Sequence, residues 1–237
     1  MAAVMAPARK PAGGRTGRKK AAQFTVGASR NWGSIATFAA VTMIAVGIIG
    51  WGAWAVYRPG SVGYGWQTRV AQIDGVADYR AGKELARDHV EGVQTYNPTP
   101  AVGGAHNGIW QRCTGEVYDA AIPNEHAAHS LEHGAVWITY REGMPDDQVA
   151  TLAAKVQGRE YMLMSPVPGL PTAVSLQAWG YQLAVEDVAD PRIDDFIGAL
   201  RVNATMEPGA ICSGGSTATG TTPLTPEQAQ KLTEQGN

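Results

Sequence analysis

The sequence predicts an α+β fold, a small mixed sheet with packed helices, preceded by one N-terminal transmembrane helix. Three observations lead there. Residues 31–57 carry no charge and form one continuous apolar run. Beyond residue 70, short β-branched and aromatic runs are interspersed with segments of helical periodicity. Clusters of Pro and Gly, at 97–106 and 165–171, separate these runs and mark loops.

The apolar run comes first. Its 27 uncharged residues suffice to cross a hydrocarbon core of roughly 30 Å as a helix. Trp32 stands at one end and Trp51, Trp54 and Tyr57 at the other, the usual places for interfacial aromatics. A cleaved signal peptide would have a shorter apolar core and a small-residue exit. Here the exit reads Trp54-Ala-Val-Tyr-Arg-Pro59, so a retained anchor is expected. Residues 1–30 hold seven basic side chains and no acid, and the first acid of the chain is Asp74. By the positive-inside rule, 1–30 is a disordered basic cytoplasmic arm and 58–237 is extracytoplasmic, placing the protein in the cell membrane as a single-pass chain. The formal charge of −2 hides this asymmetry: without the arm, twelve basic face twenty-one acidic side chains. So acidic a segment is a poor partner for nucleic acid.

Within the outer segment, 58–69 reads as a Gly-rich linker, 70–212 as the domain and 213–237 as a mobile Ser/Gly/Thr-rich tail with one short helical turn near Thr225. His89–Tyr96 reads as a short strand, followed by a loop, 97–106, that delivers His106. A helix starts at Asn124-Glu125 after Pro123 and stops at Gly134. Ala135–Tyr140 is a strand; Pro145–Val156 is a helix with acids in its first turn; Tyr161–Met164 and Ala173–Trp179 are strands; Asp190–Leu200 is a capped helix. Cys113 and Cys212 both lie outside the membrane, where an isolated pair forms a disulfide. The alternative is thiolate ligation by Cys113, seven residues beyond His106.

All five histidines fall between His89 and His133, three of them in His126-Ala-Ala-His129-Ser-Leu-Glu132-His133-Gly134. Positions i, i+3 and i+7 share a helix face, so His126, His129 and His133 can point one way. The expected metal ligands are His106, His129 and His133, with Glu132 orienting an imidazole, and with His89, His126, Met162 or Met164 as further candidates. Imidazole with thioether favours copper and imidazole with carboxylate favours zinc; the expectation is a transition-metal ion, copper ahead of zinc, in a metal-handling or envelope accessory role. A metal-free interaction module of a membrane complex is the alternative, with its histidines satisfied by hydrogen bonds. A third reading takes His129-Ser-Leu-Glu132-His133 as the H-x-x-E-H of an inverted zincin, a zinc hydrolase with Glu132 as base. That pattern needs a longer helix than Gly134 allows, so enzymatic activity is not expected. A triad built on Ser130 lacks a nucleophile elbow. The partners expected are the bilayer, through 31–57, and another envelope or membrane protein.

The string His89–Tyr96, the Pro-rich loop ending Gly104-Ala-His106, Gly115 with Tyr118-Asp119, and His129-Ser-Leu-Glu-His-Gly134 resembles a family of exported, membrane-anchored bacterial domains common in actinobacteria. The resemblance spans about residues 70–210, and its most specific part is H-S-L-E-H-G. The family's function is unknown, so the resemblance implies context rather than activity. Relatives carry a loop like P-P-x-S-G-x-H; here it reads Pro98-Thr-Pro-Ala-Val-Gly-Gly-Ala-His106, and His106 is the position that carries over. His126 is not part of the family pattern.

Overall fold

A computed structural model describes residues 31–57 and 65–235; the basic arm 1–30 and residues 58–64 of the expected linker lie outside the described residues. The N-terminal helix α1 (Trp32–Tyr57) has 26 residues, about 39 Å at 1.5 Å per residue. Phe38, Val41, Met43, Ile44, Ile48 and Ile49 are all exposed along it. A helix that is apolar all round suits a lipid surround, a property that anchors and signal sequences share. The hydroxyls of Thr37 and Thr42 donate to the carbonyls of Gly33 and Phe38 one turn back, so neither needs water.

The domain is a six-stranded mixed sheet with helices on it. Its elements are α2 (Trp66–Val70), β1 (Ala77–Asp78), β2 (Thr114–Val117), α3 (Asn124–Glu132), β3 (Val136–Arg141), α4 (Asp146–Ala153), β4 (Met162–Val167), β5 (Val174–Ala178), β6 (Tyr181–Val185), α5 (Arg192–Leu200) and α6 (Pro226–Gln235). The strand order is β1-β6-β5-β3-β4-β2. β4 is parallel to β3 and β2, whereas β5 is antiparallel to β3 and β6. Ala178 pairs with Tyr181 across a two-residue turn, Trp179-Gly180. Gly180 has φ +78°, and a Cβ there would collide with the Arg80 side chain. Pro166 is tolerated in β4 because β2 stops at the Val117–Met164 pair, before a ladder partner would need its missing N–H.

Alternate residues of the central strands face opposite ways. Val136, Ile138, Met162, Met164 and Leu176 pack with Leu152 of α4, Phe196 and Ile197 of α5, and Trp66 of α2. Trp137 and Leu163 face the other side, with Ala127 and Leu131 of α3, Trp179, Tyr118 and the Cys113–Cys212 pair. That pair is a buried disulfide with Cα atoms 4.8 Å apart. Neither thiol is free, which removes Cys113 as a metal ligand.

Three segments assigned from the sequence take a different form in the structure. Residues 89–96 are not a strand; sheet-like contact there is one parallel bridge, His89 to His106. The end of the expected linker is α2, whose Trp66 meets Tyr181 edge-on at 6.0 Å. The first part of the expected tail is fastened to the domain. Ser216 exchanges backbone hydrogen bonds with Trp110 and Arg112, and Gly220 N–H donates to the Ala121 carbonyl. The composition of 213–224 is loop-like, but its backbone supplies partners that buried side chains need.

Candidate metal centre

Helix α3 is buried from Glu125 to Glu132, although five of those eight residues are polar. All of these polar side chains but that of Glu132 fasten a neighbouring segment. Glu125 accepts from the Gln94 N–H at 2.7 Å and Ser130 donates to the Gln111 carbonyl at 2.6 Å. Asn124 does not cap the helix with its side chain; its Oδ1 accepts from Ala101 N–H and pins the Pro-rich loop. At the far end Gly134, with φ +102°, turns the chain where a Cβ would lie 3.2 Å from Val202 Cα. The Glu132 carbonyl accepts from the Thr205 hydroxyl and from the Met206 and Glu207 N–H groups. The helix terminus thus delivers Glu207 to the site.

The loop carrying His106 is held in place. His106 N–H donates to the Asp88 carbonyl, and the His106 carbonyl accepts from Val90 N–H at 2.7 Å, which sets His89 beside it. Tyr96 Oη donates to the Ala105 carbonyl. The rings of His89, His106 and His129 lie 4.7–5.0 Å apart centroid to centroid, and His133 is 4.7 Å from His129.

Three of these imidazoles share one arrangement. Nδ1 of His106 lies 2.7 Å from the Gly104 carbonyl, Nδ1 of His129 2.8 Å from that of Asn107, and Nδ1 of His133 2.9 Å from that of Ile211. A carbonyl oxygen only accepts, so each Nδ1 carries the proton and each Nε2 keeps a lone pair. A backbone carbonyl on the far nitrogen is the usual partner of a metal-binding imidazole. Opposite His106 Nε2, at 3.0 Å, lies Glu132 Oε2. Both atoms are buried, and among the described residues neither has a hydrogen-bond donor. Two acceptors therefore face each other at contact distance.

The donor atoms that come within 4.8 Å of one another form two groups: His89, His106, His129 and Glu132; and His129, His133 and Glu207. His106 falls in the first, His133 in the second, and His129 in both. Glu132 is a member of the donor set itself. His126 is in neither group: its Nε2 accepts from Leu224 N–H at 3.1 Å. Met162 and Met164 point into the apolar layer on the other face of the sheet. Their alternation does place them on one face, but α3 packs on the opposite one. Glu207 was not among the expected residues. No local motif marks it, because a backbone contact 75 residues away in sequence brings it here.

Burial sets the electrostatics. It lowers the pKa of His129 to about 3, opposed by the Asn107 hydrogen bond and reinforced by the neighbouring histidines. Burial also lowers His106 and His133 and brings His126 down to about 4. It raises Glu132 to about 7, with Glu207 adding to the shift and Arg87 opposing it. At neutral pH the imidazoles of His106, His126, His129 and His133 are uncharged, the form that binds metal. A cavity of about 530 Å³, lined by Glu84, Arg87, Asp88, His89, Glu132 and Glu207, opens over the first group.

Comparison with curated proteins and with solved structures gave no match. Residues 89–214, from His89 through the disulfide, match the family described as protein of unknown function, DUF3105. That stretch is more than half of the chain and contains every donor of both groups, so the protein belongs to the DUF3105 family.

Proposed function

We propose that this chain is a membrane-anchored protein whose domain, on the extracytoplasmic side, binds one divalent transition-metal ion in a metal-handling or envelope accessory role. The inner donor set is His89, His106, His129 and Glu132. The observation that carries the reading is the facing pair of buried acceptors, His106 Nε2 and Glu132 Oε2 at 3.0 Å. Burying acceptors without a donor costs about 1–3 kcal/mol each, and a cation held by both removes that cost. The case for copper leaned on methionine. With Met162 and Met164 on the other face, a set of imidazoles and one carboxylate favours zinc. The anchor reading rests on α1, and the orientation on the basic arm.

Elemental analysis and titration calorimetry of the full-length, tag-free chain in detergent test this, with Zn²⁺ and Cu²⁺ as probes. One ion per chain is expected, with tight binding lost in His106→Gln and His129→Gln. A folded wild-type chain that takes up neither ion rejects the reading.

One observation favours a second reading, a metal-free interaction module. Glu132, held up to about 7, is about half protonated at neutral pH and in that form can donate its proton to His106 Nε2. A proton then does what the ion would do. The hydrolase reading is weaker. H-x-x-E-H chemistry uses both histidines on one ion with the Glu as base, whereas here Glu132 groups with His106, and His133 with Glu207.

A further inference from the structure

His129 has one lone pair to give. Its Nδ1 proton is engaged by the Asn107 carbonyl at 2.8 Å, so Nε2 alone can bind a metal. Yet His129 belongs to two donor groups. One lone pair serves one ion at a time, so the two groups cannot both use His129 at once.

The carboxylates of the two groups differ in their access to solvent. In the inner one the carboxylate is Glu132, with 2% of its side chain exposed, beside the fully buried His106. In the outer one it is Glu207, 44% exposed, with Oε2 3.5 Å from His133 Nε2. Glu207 and Glu132 line the same cavity. A hydrated cation arriving from solvent meets Glu207 before it meets Glu132. The inner group's own solvent-facing member is the single imidazole of His89, 49% exposed, so a cation entering there still has to reach the buried Glu132 and His106 without an exposed carboxylate of that group to receive it. Capture by Glu207 and His133 exchanges water for protein ligands gradually, with His129 common to both positions.

Resting on the metal reading above, we propose that His133 and Glu207 form with His129 an outer loading position, from which a divalent transition-metal ion passes to the inner group of His89, His106, His129 and Glu132. In the transfer the bonds to His133 and Glu207 break, those to His89, His106 and Glu132 form, and His129 stays bound. The same path run backwards releases the ion to a chelating acceptor.

Stopped-flow loading with Zn²⁺ alone, and release to a chelator, on the full-length chain in detergent test this. Glu207→Gln and His133→Gln should keep one ion per chain and an equilibrium affinity within about threefold of wild type. Both loading and chelator-driven release should slow by about tenfold or more, the scale on which a steering charge acts. His106→Gln should lose tight binding. Because Glu207 is half-exposed, its variant tests the idea without threatening the fold. Unchanged rates in both outer variants overturn the relay and leave the metal site standing. So does a loss of affinity equal to that of His106→Gln, which would mean one site using every donor. Two tightly bound zinc ions per wild-type chain also overturn it. No zinc on folded wild type sinks the metal reading and the relay together.

Discussion

Glu132→Gln separates a bound ion from a shared proton, because its effect on stability should change sign with metal. In the metal-free protein Glu132 Oε2 faces a lone pair on His106 Nε2 at 3.0 Å, and burial raises its pKa from 4.5 to about 7. A carboxyl whose pKa is raised on folding contributes stability that is present in full below about 4.5 and lost as pH climbs through about 7. At about 1.4 kcal/mol per pH unit, wild type without metal should lose roughly 2–3 kcal/mol from this group between pH 5 and pH 8. Gln carries its N–H donors at every pH and can keep donating to His106. Urea unfolding in EDTA, followed by tryptophan fluorescence, should therefore find the variant close to wild type at pH 5 and more stable by about 2–3 kcal/mol at pH 8. Zinc reverses the order. A ligand at a thousand times its Kd adds about 4.1 kcal/mol to the protein that binds it, more than the variant's lead at pH 8, and the variant lacks the carboxylate. A difference that does not vary with pH would refute the account of Glu132. Equal stabilisation of both proteins by zinc would refute its place among the ligands.

Other perturbations probe the scaffold. Replacing both Cys113 and Cys212 by Ser opens a loop closed over a separation of 99 residues; chain entropy puts the loss at about 5 kcal/mol, and a drop below about 1 kcal/mol in urea would contradict it. Gly115→Ala should destabilise by more than about 2 kcal/mol in the same assay, because the residue has φ +101° and its Cβ would collide with the backbone of Gly158 and Arg159. His126, lowered from 6.5 to about 4, contributes stability present in full above pH 6.5 and lost as pH falls through 4. His126→Gln, whose carbonyl can accept from Leu224 N–H, should flatten the acid side of the stability profile by about 3 kcal/mol. A reporter that works only outside the cytoplasm should be active when fused after Asn237 and silent when fused before Asn31; the reverse pattern would invert the orientation.

Local signals were readable in the sequence. Pro123, the apolar spacing of Ala127 and Leu131, and Gly134 bound α3 to within two residues, because start, face and stop are all encoded inside it. β3, β4 and β5 were visible because buried strands are dense in Val, Ile, Leu and Met. β2 was not: all four of its residues are half-buried at a sheet edge, so no alternation distinguishes Thr114–Val117 from loop. β6 starts directly after Gly180 and was hidden by the turn before it. At the site, His106, His129 and His133 stood out by residue type. Their division into two groups did not, since it depends on Gly104, Asn107 and Ile211 carbonyls that sequence spacing does not report. Glu207 is placed by the end of α3, a contact with no local signature.

The segment after the disulfide bears on where this domain can be cut. The family match stops at residue 214, and a protein shortened to that point would keep every histidine. It would lose the Ala218 carbonyl that accepts from Gln111, the Leu224 carbonyl that accepts from Asn107, and the Leu224 N–H that donates to His126. All three side chains are buried, and each stranded group costs about 1–3 kcal/mol. Asn107 is also the residue whose carbonyl orients His129. The cooperative unit therefore outlasts the recognisable one by at least ten residues, to Leu224. A shortened version judged unable to bind metal would be reporting a missing brace behind His129 rather than a missing ligand.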